Sequence, residues 1–107
     1  MPNTYRGEIE AELGGERRTL VLTLGALAEL ESAFGADDLM ALAERFGSGR
    51  VSARDLIRIL GAGLRGAGLS VRDEEVAAMT VAGGASSYVR IAAELIAATF
   101  DDKQGMS

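Results

Sequence analysis

The 107-residue chain has no cysteine, no histidine and no tryptophan, a single proline, and a single lysine, Lys103. Without cysteine there is no disulfide framework and no thiolate to act as nucleophile or soft metal ligand. Without histidine the commonest general base and the commonest metal ligand are missing too. Aromatic residues make up 5% of the chain, so its core must be built from Leu, Ile, Val and Ala. Such a core lets helices approach closely but buries less area per residue, at about 25 cal/mol per Å² of apolar surface. The expectation is modest stability, with formation of a homo-oligomer as a route to further burial. Basic residues are also in short supply, 11 against 16 acidic ones, for a net charge of −5. That balance argues against sequence-independent nucleic-acid binding, which needs clustered Lys and Arg, and against an anionic membrane surface. No apolar run approaches the ~20 residues needed to span a bilayer. The opening MPNTYRGEIE has no apolar stretch behind a basic segment, so it does not read as a secretory signal, and the expected location is cytoplasmic.

What remains is ordinary globular composition, 48% hydrophobic and 25% charged, at the length of one domain, 1–107. From Tyr5 to Leu13 the residues alternate, with Tyr5, Ile9, Ala11 and Leu13 on one face and Arg6, Glu8, Glu10 and Glu12 on the other. Gly14-Gly15 then gives the signal for a two-residue hairpin turn. Folding there sets Leu13 opposite Glu16, Glu12 opposite Arg17, Ile9 opposite Leu20 and Tyr5 opposite Leu24. A slip of one residue would mix the apolar and polar faces, so the register is well specified. The second strand carries Leu20, Leu22 and Leu24 and runs almost directly into a helix bearing Leu27, Leu30 and Phe34. This stretch, residues 20–35, is the expected organising piece of the chain.

A hairpin over 5–24 is followed by a helical part over 25–100 and a polar tail over 101–107. The first helix ends at Gly35. The second starts at a cap, Asp37 or Asp38, carries Leu39, Leu42, Ala43 and Phe46, and ends at Gly47. Ser52 with Asp55 resembles a capping box for a third helix bearing Leu56, Ile57, Leu60 and Leu64. Ser70 with Asp73 repeats that signal for a fourth helix over about 71–82. Gly83-Gly84 breaks it, and a fifth helix over about 86–100 carries Val89, Ala92, Ala93, Leu95, Ile96 and Phe100. Strands at one end and helices after them read as an α+β fold: a two-stranded antiparallel hairpin packed on four to five short helices. The structural alternative is an all-helical domain with a flexible N-terminal arm.

Motifs for chemistry are sparse. Gly61-Ala62-Gly63-Leu64-Arg65-Gly66 matches G-x-G-x-x-G, but a dinucleotide fingerprint needs a strand before it and a helix starting at it. A helical stripe leads into this one, which reads as close packing and a glycine-rich helix end. The acidic pairs Asp37-Asp38 and Glu74-Glu75 sit at helix starts, where negative charge meets the positive end of the dipole; Asp101-Asp102 lies in the tail. The serines have no histidine partner. Arg50, Arg54, Arg58 and Arg65 share a face around the third helix, either as a solvated face or as a site for an acidic partner. No enzyme, cofactor, metal or small-molecule substrate is expected. The apolar surface is more informative. Helices four and five are Ala-rich and weakly polar outside, and surplus apolar surface implies a partner. Leu64, Leu69, Met79, Val81, Val89 and Ile91 are the expected contact residues.

The run LTLGALAELE (residues 22–31), then LMALAERFGSGRVSARDLIRILGAGLRGAG (39–68) and the closing LIAATF (95–100) resemble a known family. The chain is similar, from about Arg6 to Phe100, to the gene transfer agent proteins of alphaproteobacterial phage-like tail clusters, related to phage tail assembly chaperones. The polar tail after Phe100 has no counterpart. Proteins of this kind are encoded beside the tail tube and tape measure proteins. The resemblance implies an assembly chaperone that coats the tape measure protein while the tube polymerises. The alternative it carries is a structural subunit of the tail, a tail tube component incorporated in the particle. It brings no catalytic residues.

Overall fold

The computed structural model describes residues 7–48 and 50–100. Strands β1 (Ile9–Leu13) and β2 (Glu16–Leu20) form a two-stranded antiparallel sheet. Its register is the expected one, pairing Ile9 with Leu20, Glu12 with Arg17 and Leu13 with Glu16. Gly14 and Gly15 both take positive φ, 63° and 82°, as a primed two-residue turn requires. Leu13 and Leu20 close the inner face. On the outer face Arg17 bonds diagonally to Glu10 at 2.8 Å rather than to Glu12 opposite it. That hydrogen bond, aided by the guanidinium charge, holds the Glu10 carboxyl below the usual carboxylate range.

Pairing stops earlier than the alternation suggests. Residues 21–23 are a link without strand partners, and Leu24 opens a helix instead of facing Tyr5, which lies outside the described residues. The cause is Thr23, whose Oγ1 accepts a hydrogen bond from the Ala26 amide at 3.1 Å and so starts the helix. Helix α1 (Leu24–Phe34) ends at Gly35, with φ 69°. The Ala36 amide reaches back to the Glu31 carbonyl there, closing the helix in a Schellman turn. Helix α2 (Leu39–Gly47) is capped by Asp38, and α3 (Ala53–Gly66) by the reciprocal Ser52–Asp55 box.

Helix α4 is a short turn, Asp73–Ala77, not the expected span to residue 82. Its start is also shifted: the Glu75 carboxylate accepts from the Arg72 amide at 2.8 Å, while Asp73 is drawn to Arg65. Beyond Ala77 the chain is held by tertiary hydrogen bonds instead of a continued helix. The Gly14 amide donates to the Thr80 carbonyl, the Tyr88 hydroxyl to that of Met79, and the Ser87 hydroxyl to that of Ala82. Helix α5 (Ala85–Phe100) follows.

The element at the centre is α3, which packs against β2, α1, α4 and α5. Its residues 59–64 are all buried. A helix enclosed on all sides cannot carry large side chains all round, and Gly61, Ala62 and Gly63 supply the room. A Cβ at Gly63 would stand 2.7 Å from Leu95 Cδ2 on α5, and one at Gly66 would strike the Val21 carbonyl oxygen. The main chains meet here, the Val21 amide donating to the Gly63 carbonyl at 3.0 Å. At another edge Phe34, Phe46 and Phe100 join the ends of α1, α2 and α5, with ring centroids 5.6 and 6.4 Å apart.

Candidate functional site

The six residues expected to face a partner are not gathered into one surface. Leu64 and Ile91 are core residues, 0% and 4% exposed. Leu64 lies on the enclosed stretch of α3. Ile91 is inside because the buried stripe of α5 runs through Ser87, Ile91, Ala92 and Leu95, leaving Val89 and Ala93 outside. Leu69 is half-buried, its amide closing the end of α3 on the Leu64 carbonyl at 3.1 Å. Met79 and Val81 pack against the core from the link between α4 and α5. Among the six, Val89 alone is exposed, at 45%. The sequence reading missed Ser87 and Tyr88. These are the polar residues that tie the link down, and a serine on an apolar helical face gives little warning of that role.

The arginines around α3 are largely spoken for by the fold. Arg65 donates to the Val71 carbonyl and to Asp73 Oδ1, both at 3.0 Å, and to Glu29 Oε2 at 2.5 Å, joining α1, α3 and α4. Partial burial works against its charge, but the bonds to Asp73 and Glu29 prevail and raise its pKa. Arg58 donates to the Ala33 carbonyl at the end of α1. Arg54 and Arg50 are exposed. The G-x-G-x-x-G glycines all lie inside α3 or at its last residue, facing side chains and backbone of their own fold. Among the described residues no group of three or more acidic side chains is placed to hold a metal ion. No helix among them is long and apolar enough to cross a membrane.

The exposed apolar surface lies elsewhere, along α1. Leu24, Leu27, Ala28 and Glu31 follow one another at helical spacing, and Asp37, Asp38, Leu39 and Met40 face them from the start of α2. Together they line an open groove of ≈ 610 Å³. Leu27 forms a buried floor, while Leu24 is 75% and Met40 72% exposed. Of the four large hydrophobic side chains exposed among the described residues, three (Leu24, Leu39 and Met40) belong to this groove. Glu31, Asp37 and Asp38, on either side of the α1–α2 turn, also line it, and Asp38 is occupied in capping α2 through the Ala41 amide at 2.8 Å. A smaller apolar cleft of ≈ 160 Å³ lies between α3 and the α4–α5 region, lined by Leu56, Ile57, Met79 and Tyr88 among others.

A mainly apolar groove edged by carboxylates is suited to binding a polypeptide. The comparison with known families agrees with a protein of assemblies. The family described as phage tail tube protein, GTA-gp10, matches residues 6–102 of this chain. No curated protein and no solved structure matches it.

Proposed function

The chain belongs to the phage tail tube protein family GTA-gp10, and from that premise we propose that it is a structural component of the tail tube in a phage-like, gene-transfer-agent particle. The observation that carries this reading is the family match, which runs from residue 6 to residue 102. In this role the chain contacts other tail proteins and performs no catalysis. Quantitative mass spectrometry of purified particles tests it. Many copies per particle are expected, in fixed ratio to other tail proteins; absence from finished particles overturns the reading.

A second reading, a transient assembly chaperone for the tape measure protein, is favoured by one feature of the fold. The sheet among the described residues is a single pair of five-residue strands, a small basis for a continuous β-ring, and a long helical client fits an apolar groove between helices. On this reading the chain co-purifies with coexpressed tape measure fragments and is missing from the finished particle.

A further inference from the structure

We propose that the α1–α2 groove is a docking site for an amphipathic helix of another polypeptide, one whose apolar stripe ends in Lys or Arg. The shape comes first. Leu24, Leu27, Ala28 and Glu31 span two turns of α1, roughly 10 Å of helix axis, and the start of α2 forms the opposite wall. A third helix satisfies its own backbone polar groups, so it can enter such a groove with side chains alone. The walls, Leu24, Leu39 and Met40, are the exposed apolar side chains that the fold leaves uncovered there.

Charge sets the partner's chemistry. Glu31, Asp37 and Asp38 line the groove together with apolar residues and no basic side chain. Asp38 spends one oxygen on its cap, while Glu31 and Asp37 form no ion pair among the described residues. Glu31 stands near the end of α1, and Asp37 and Asp38 at the start of α2, so the three carboxylates flank the turn between the two helices. A helix entering with its basic end there meets opposite charge; one ending in Asp or Glu meets like charge. A second copy of this chain is a poorer fit, since its own net charge is −5. The proposal rests on the tail-protein reading only for where the partner comes from.

The test uses the isolated full-length protein and a fluorescein-labelled synthetic helix of about four turns, with a leucine stripe and lysines at one end. Saturable binding is expected. Leu24→Ser with Met40→Ser should weaken it about tenfold or more, and Val89→Ser should leave it unchanged. Glu31→Gln with Asp37→Asn should weaken binding and flatten its salt dependence, and a peptide with glutamates for the lysines should bind about tenfold more weakly. Met40→Ser alone, checked for an unchanged melting curve, guards against a folding defect. No binding, equal binding of both peptides, or equal loss with Val89→Ser overturns the proposal. So does a wild-type dimer that Met40→Ser converts to monomer, which would place a second copy in the groove. Particle composition decides the tail reading independently of every arm of this titration.

Discussion

Six consecutive residues of α3, positions 59–64, are shut away from water, whereas at the α1–α2 edge Leu24 and Met40 remain 75% and 72% exposed. Both regions carry leucines at helical spacing, so spacing alone does not separate them. What differs is the company the leucines keep. Along α3 they alternate with Gly61, Ala62 and Gly63, whose small size lets α5 and the residues after β2 close in. At the starts of α1 and α2 the capping residues Thr23 and Asp38 stand beside Leu24 and Leu39. A leucine in the first turn of a capped surface helix is held where its neighbours are polar. Apolar residues amid small ones therefore mark the core here, and apolar residues beside caps mark the open surface.

Four substitutions test that contrast. Leu64→Ala removes a fully buried side chain and should lower unfolding free energy by about 2–5 kcal/mol in urea titrations; a loss under about 0.5 kcal/mol, normal for a surface site, would return Leu64 to the partner-facing class. Gly66→Ala should cost about 1–3 kcal/mol, because the added methyl meets main chain that cannot step aside. Equal stability in a thermal melt would mean that α3 and the Val21 link can part without penalty. Arg65→Ala should cost about 1 kcal/mol, its charged hydrogen bonds being partly open to water, and the deficit should shrink in high salt. Met40→Ser comes last, within about 0.5 kcal/mol of wild type; a larger change would show that the groove is already covered by part of the fold.

The turn and register of the hairpin were legible to the residue, its length was not: pairing ends at Leu20 and Leu24 opens α1. Two glycines fixed the turn, and alternation on both arms allowed one register, so Ile9–Leu20 and Glu12–Arg17 could be paired on paper. Several helix ends were equally readable: Asp38, Ser52–Asp55 and Gly35 all stand where expected, whereas the Thr23 cap was hidden in the strand alternation. Residues 70–84 were not readable, because their outcome depends on distant groups. Arg65 recruits Asp73, and Gly14, Ser87 and Tyr88 claim the carbonyls past Ala77. The candidate surface was the least legible part. The Ala-rich composition of α5 drew attention to the C-terminal helices, but the helix turned Ile91 inward, and the open groove lay between helices whose leucines looked like ordinary core. The central place of α3 was hidden for a related reason: the segment 20–35 has a more regular pattern, and the glycines of α3 count for nothing on a hydrophobicity scale.

The junction between residue 21 and the end of α3 is made by peptide groups, the Val21 amide on the Gly63 carbonyl, with no room for a methyl at Gly66. Tolerance to replacement across that seam is therefore lopsided. The outer position contributes its amide to the seam, whereas a carbon added on the inner helix at Gly63 or Gly66 wedges the hairpin away from the body it rests on.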